Sequence, residues 1–282
     1  MPKMGGFEAC KEIKKINKNI VLICQSGYGG DSFNEKCIQN GFDDVLEKPT
    51  KKQDIIKLII KYKLNKQGFG RLICKNNSFY QGYWKDDLFE GEGFYIDIHG
   101  NYIKGIFKNG KPEGKCILKK KDGSTYEGGM KNGEKNGYGE ENTKKGMIYK
   151  GNYLNGKMNG QGEYTISNTY QFTGEFKDDL IDGYGVCKWN TGKVYQGEWK
   201  NNKMYGKGSF IWPDGKQYEG EFANDQFEGF GVFKWQNGSF YTGYWKSGKM
   251  DGQGKICTQE GKVIEGIWIN GEYQQNSSRL DY

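Results

Sequence analysis

The stretch Tyr195-Gln196-Gly197-Glu198-Trp199-Lys200, followed after Asn201-Asn202 by Tyr205-Gly206-Lys207-Gly208, decides the fold of this chain. Tyr195, Gly197 and Trp199 alternate with polar residues, so in a strand the three share one face, and the glycine leaves room for a ring to lie against backbone. Outward in both directions the pattern returns every 23 residues, at Tyr80, Ile103, Tyr126, Tyr149, Phe172, Tyr195, Tyr218, Tyr241 and Ile264. Two places after each stands a glycine, from Gly82 to Gly266. Two further on stands Trp84, Phe107, Met130, Tyr153, Phe176, Trp199, Phe222, Trp245 or Trp268. No insertion or deletion breaks the phase, which is the signature of a repeat architecture.

Each unit then carries a turn pair, among them Asn109-Gly110, Asn132-Gly133, Asn155-Gly156, Asp178-Asp179 and Ser247-Gly248. Both residues of Asn-Gly tolerate positive φ, so these pairs predict hairpins. The return strand opens on G-x-G, as at Gly137/Gly139, Gly183/Gly185, Gly206/Gly208 and Gly229/Gly231, and a second turn such as Asp122-Gly123, Asp214-Gly215 or Asn237-Gly238 closes the unit. Cys116 replaces the second glycine once, and Gly68-Phe69-Gly70 fits the phase one period earlier, so the array opens with half a unit. A G-x-G that recurs on strands and opens no helix is not a phosphate loop. The aromatic stripe reads as the core of a one-dimensional array in which each hairpin buries its face against its neighbours.

Composition agrees. Of 282 residues 45 are Gly and only 4 Pro, and the 35% apolar content is weighted to aromatics, too little for a thick aliphatic core. One histidine, His99, leaves no basis for a Ser-His-Asp or Cys-His relay. The seven cysteines are scattered and never in C-x-x-C spacing, which predicts neither a disulfide framework nor a metal site and fits a reducing, cytoplasmic setting. No cofactor is expected. The best apolar run, Ile55 to Ile60, is broken by Lys57, far short of the roughly 20 residues of a spanning helix.

Tyr195 to Lys200 with Tyr205 to Gly208 resembles the MORN repeat family, and the likeness extends from Gly68 to about Gly271. The resemblance implies an elongated, twisted antiparallel sheet of tandem hairpins, with some seventeen or eighteen strands spaced ~4.8 Å apart. It also implies a non-catalytic scaffold or tether to membrane or cytoskeleton, with self-association, and in some members binding to acidic phospholipids.

Charge is uneven along this array. Residues 101–158 hold 13 Lys and 6 acidic residues, while the stretches on either side are slightly acidic. Lys119, Lys120 and Lys121 precede the Asp122-Gly123 turn, and Lys144 and Lys145 stand one unit later; these five are the candidate phospholipid contacts. A second row, Lys85, Lys108, Lys131, Lys177, Lys200 and Lys246, is expected to be neutralised across strands by residues such as Glu175, Glu198 and Glu221.

Ahead of the array, residues 1–66 read as helix, strand, helix, strand, helix. Phe7, Cys10, Ile13 and Ile16 make one helical face, Ile20 to Cys24 a short strand, Phe33 and Cys37 a second helix, Val45-Leu46 another strand, and Ile55, Ile56, Ile59 and Ile60 a final helix. Met1-Pro2-Lys3-Met4-Gly5-Gly6 and Gly41 to Pro49 resemble the second half of a response-regulator receiver domain. Receivers carry the phospho-accepting aspartate just upstream of that Met-Pro pair, so no acceptor or metal ligand is expected in this chain. Lys48 matches the lysine that contacts the phosphoryl group, Pro49 the cis proline after it. Cys24 stands at the Thr/Ser position, with Ser26 a possible substitute. Such a remnant suggests a gene start placed too late.

These observations predict a mainly β chain in three parts: a partial receiver-like α/β segment at 1–66, a MORN array at 67–273 and a polar tail at 274–282. The expected function is a non-catalytic scaffold or tether whose partner is an acidic phospholipid surface or a cytoskeletal protein, with homo-oligomers possible and no nucleic acid. Two alternatives stand beside it: a phosphorelay protein whose complete receiver controls the array, and the targeting region of a phosphatidylinositol phosphate kinase.

Overall fold

The computed structural model describes residues 6–16, 21–26, 30–62, 65–74 and 76–274. The chain forms two compact units, Met1–Gln67 with Lys85–Asp87, and Gly68–Trp84 with Leu88–Tyr282.

In the first unit, helices Gly6–Ile16, Asp31–Gln39 and Lys52–Tyr62 alternate with strands Ile23–Ser26 and Asp44–Glu47, which pair in parallel as the alternation requires. Residue 20, taken as the start of the first strand, lies outside the described residues. Cys10, Cys37 and Leu58 are buried, and Phe7 packs edge-on against Phe42 at 6.2 Å. The helical faces read from sequence are only partly covered. Ile16 is 86% exposed, and Ile55 and Ile56 are exposed while Leu58 is buried; the side chains of Ile59 and Ile60 lie outside the described residues.

The second unit is an antiparallel sheet of nineteen strands, from Gly68–Ile73 to Glu272–Gln274, one or two more than counted from the sequence. Every register among the described residues of this sheet joins strands consecutive in the chain, as when Val194–Lys200 pairs with Leu180–Trp189 and with Lys203–Ile211. A closure setting Glu272–Gln274 beside Gly68–Ile73 is carried by no register there. Core ring contacts likewise reach only to the next unit, as in Tyr149–Phe176, Phe172–Trp199, Tyr195–Phe222 and Tyr218–Trp245, at 5.0 to 5.5 Å. Among the described residues the registers and ring contacts of this sheet run between neighbouring units, as in a one-dimensional array.

Its organising feature is a row of glycines crossing the strands. Gly185 pairs with Gly197, Gly197 with Gly208, Gly208 with Gly220 and Gly220 with Gly231. Within each of these hairpins the ring two residues before the first glycine folds over the pair, as Tyr195 does over Gly197 and Gly208, and its hydroxyl donates to the carbonyl three residues on: Tyr80 to Tyr83, Tyr149 to Asn152, Tyr195 to Glu198 (all 2.9 Å) and Tyr218 to Glu221 (3.0 Å). A Cβ on Gly197 would stand 2.6 Å from both Gly208 Cα and the Tyr195 hydroxyl, so only hydrogen fits. The first glycine of G-x-G answers a different need: Gly206 has φ +58° and Gly229 φ +59°, conformations that side chains resist, beside the bulge where the register shifts between Gly197 and Trp199. Where the ring is missing, something else fills the space. In the unit of Ile103 the Cys116 thiol lies over Gly105, and beside Ile264 the Tyr273 ring covers Gly266 from the last strand.

Units are also stitched along the turns. The amides of Gly156, Asp179, Asn202 and Asp225 donate to the carbonyls of Lys135, Met158, Ile181 and Met204, each 21 residues back, at 2.8 to 3.2 Å.

The expected neutralisation of the lysine row does not occur. Among the described residues none of Lys85, Lys108, Lys131, Lys177, Lys200 and Lys246 is in an ion pair. The bulge turns Glu198 toward its own hairpin, where it accepts the Lys207 amide at 3.1 Å, Glu175 accepts from Gln161, and Lys200 lies 5.1 Å from the Tyr205 ring.

Two outcomes follow from the ring-on-glycine packing. Gly197→Ala should cost about 2–3 kcal/mol in chemical denaturation, whereas Tyr195→Phe, which loses one hydrogen bond as Phe172 already does, should cost about 1 kcal/mol. Burial pushes Tyr80, Tyr126, Tyr149 and Tyr241 up to about 12. The unfolded chain releases these protons near pH ~10 and the folded chain only near 12, so between those values the unfolded state binds fewer protons and stability falls as pH rises. Melting temperature should be insensitive to these groups below pH ~10 and drop above it.

Candidate functional site

The second turns of consecutive units lie side by side. In the first, the Lys120 amide donates to the Ser124 carbonyl at 2.8 Å and the Gly123 amide to the Lys120 carbonyl at 3.0 Å. The next turn is tied to it by the Lys144 amide, which donates to Ser124 Oγ at 3.2 Å, and the Lys121 amide donates to Asn101 Oδ1 of the preceding turn. The sequence-predicted lysines therefore meet: Lys119, Lys120, Lys121, Lys144 and Lys145 are all exposed on two adjoining hairpin ends, and none is in an ion pair among the described residues. The one carboxylate among them, Asp122, accepts the Ser124 amide at 2.8 Å. Its pKa lies below the ordinary value because of hydrogen bonds from Ser124, reinforced by the charges of Lys120 and Lys144. The cluster presents flexible ammonium groups around a turn and can bind anions as point charges.

The receiver-like residues are arranged otherwise. The Lys48–Pro49 bond is cis, as the resemblance implies, and both residues are exposed. The Cys24 thiol lies 3.3 Å from the Cys37 thiol, and burial first, then Cys37, pushes it up to about 11, a poor nucleophile at neutral pH. Ser26 pairs through its backbone with Glu47, and its side chain lies outside the described residues. Sequence reasoning missed the contact that does close this end, Gln25 Nε2 donating to Thr50 Oγ1 at 2.7 Å.

It also missed a polar inclusion in the aromatic face. Lys135 Nζ is 2.6 Å from Glu141 Oε2 with both side chains about four-fifths covered, 4.8 Å from the Tyr126 ring centre and 5.0 Å from that of Tyr153. Tyr153 Oη donates to the same carboxylate at 2.9 Å. The signal was present in the repeat columns: Lys135 stands where other units have Met158, Met204 and Met250, and Glu141 where they have Tyr164 and Phe210. Replacing Lys135 by Met alone should destabilise the chain by about 1–2 kcal/mol, whereas Lys135→Met with Glu141→Tyr should restore or exceed the original stability in thermal melts.

Comparison with known proteins agrees with this architecture. The MORN repeat matches eight times, at residues 80–101, 104–125, 126–146, 149–168, 172–194, 195–217, 218–240 and 241–261, and the chain belongs to the MORN repeat family. The response regulator receiver domain matches residues 1–60. Hybrid signal transduction histidine kinase B of Dictyostelium discoideum is 32% identical over 78 residues, 23% of this chain but 4% of that protein, so this chain spans a small fraction of its relative's length. Among solved structures, the G-box domain of the microcephaly protein CPAP aligns at 10% identity with TM-score 0.38, covering 71% of this chain and 99% of that one. The TCP10 domain of Danio rerio CPAP, in complex with a peptide of Danio rerio STIL, aligns at 12% identity with TM-score 0.32 over 73% and 99%. No functional conclusion attaches to either.

Proposed function

We propose that this chain is a non-catalytic scaffold that tethers itself to an acidic phospholipid surface through the lysine-bearing hairpin ends. The observation that carries the reading is the juxtaposition of Lys119, Lys120, Lys121, Lys144 and Lys145 on two stitched turns, exposed and without ion pairs among the described residues. Near an anionic membrane each such residue contributes about 1 kcal/mol, and the attraction falls off within a Debye length of about 8 Å at physiological salt. Five together hold a rigid array at modest salt, and the extended sheet then offers its remaining length to protein partners.

The test is co-sedimentation of the full chain with phosphatidylcholine vesicles with and without a phosphoinositide or phosphatidic acid. Binding should require the acidic lipid, weaken with salt, and vanish when the five lysines are changed to Glu, with the melting temperature unchanged. Equal binding by the charge-reversed variant, or none by the folded parent, would replace the tether by a purely protein-binding scaffold.

A second reading is favoured by the receiver match at residues 1–60 and by the histidine kinase relative: the array is the output of a phosphorelay protein. It requires an acceptor aspartate, and phosphotransfer from a histidine kinase to a form of the protein carrying one tests it.

A further inference from the structure

The aromatic face is not evenly filled. Position 187 falls in a column whose members in successive units are Tyr95, Leu118, Glu141, Tyr164, Cys187, Phe210, Phe233 and Ile256, and cysteine is the smallest of them. Where Phe210 packs against Trp212 and Trp189 at 4.4 and 5.7 Å, the missing ring at 187 leaves a cavity of about 420 Å³. Tyr164, Tyr170, Phe176, Trp189 and Trp199 line it together with Asp179 and Asp225.

Those two carboxylates each use Oδ1 to hold a backbone amide of a neighbouring hairpin, Met158 and Met204, both at 2.8 Å. No ion pair engages either among the described residues. Rings around a space with unpaired negative charge beside it select a cation, because the ring faces are electron-rich and the carboxylates supply net charge in a site partly shielded from water. The array shows the same chemistry within itself. Two units earlier, 46 residues back in the phase, Lys135 sits between Tyr126 and Tyr153 on Glu141. The corresponding residues here are Ile181 in place of the lysine, Phe172 and Trp199 in place of the tyrosines, and Cys187 in place of the glutamate. In one unit the chain fills the aromatic face with its own ammonium, and in the other it leaves the space open with two carboxylates in its lining.

We propose that the cavity over Cys187 binds an organic cation, an alkylammonium or quaternary ammonium head on an apolar stem, supplied by a second molecule. The site is independent of the lysine-bearing turns and does not rest on the tether reading.

The direct probe is choline against 3,3-dimethyl-1-butanol, which has the same shape without the charge, titrated into the full chain and followed by tryptophan fluorescence and calorimetry. Choline should bind saturably and at least roughly tenfold tighter than the neutral analogue. Cys187→Phe, which restores the ring carried at 210 and 233, should abolish binding with the fold retained, and Cys187→Leu, the residue at 118, should do the same if the larger ring disturbs packing. Asp179→Asn with Asp225→Asn, which keeps both amide acceptors, should weaken choline roughly tenfold and leave the neutral analogue unaffected. Tighter binding of N-acetyl-trimethyllysine amide than of choline would assign the site to a protein side chain, and the reverse to a headgroup or free amine. Equal binding of the neutral analogue, undiminished binding by both Cys187 variants, or no saturable binding of either cation would overturn the proposal.

Discussion

Most units of the array depend on one contact, an aromatic ring lying over a pair of facing glycines. A side chain at either glycine would collide with the ring and with the backbone opposite: a Cβ on Gly220 meets Gly231 Cα and the Tyr218 hydroxyl, both at 2.6 Å. Because the glycines face one another in register across most strand junctions, the requirement at one strand bears on the next, and a 23-residue period carries it through the sheet. The tyrosine hydroxyl adds a hydrogen bond to the carbonyl exposed by the bulge, so a polar atom is satisfied within an apolar stack. An array made this way needs no thick aliphatic core, which explains how so aromatic and glycine-rich a composition sustains an ordered sheet.

The same contact leaves the turns free of the core. Since the core consumes only the inward residues of each strand and the turns are tied to their neighbours by backbone hydrogen bonds, turn side chains are free to vary. Lysine at 119–121 and 144–145 exploits that freedom on one edge. On the inner face variation is constrained but not forbidden. A lysine with its glutamate can replace a methionine and a ring, as at 135 and 141, and a cysteine can leave a ring's space open, as at 187. These are the places where the chain departs from its repeat.

That also marks how much was legible in the sequence. The alternation of Tyr195, Gly197 and Trp199 with period two, multiplied by strict phase, exposed the strands, the buried face and the half unit at Gly68 because both periodicities are local. The two glycines of Gly206-Lys207-Gly208 look alike in sequence yet serve different purposes, one for positive φ and one for space beneath Tyr195, and only backbone geometry separates them. Glu198 was misread as a partner for the lysine row because the bulge that turns it toward Lys207 has no sequence mark beyond the glycine itself. The proximity of the lysine-bearing turns followed from strand spacing. The Cys24–Cys37 contact, by contrast, joins a strand to the next helix across 13 residues and had no periodic signal to announce it.

The account's central claim is that ring and glycine pair form the unit of stability and that coupling runs only between neighbours. Amide hydrogen exchange across the array of a Gly220→Ala chain tests it most directly. The account predicts protection lost in the strands Lys203–Ile211, Gln217–Ala223 and Gln226–Lys234 and kept beyond the adjoining hairpins. Protection unchanged there, or lost uniformly from Gly68 to Gln274, would contradict it.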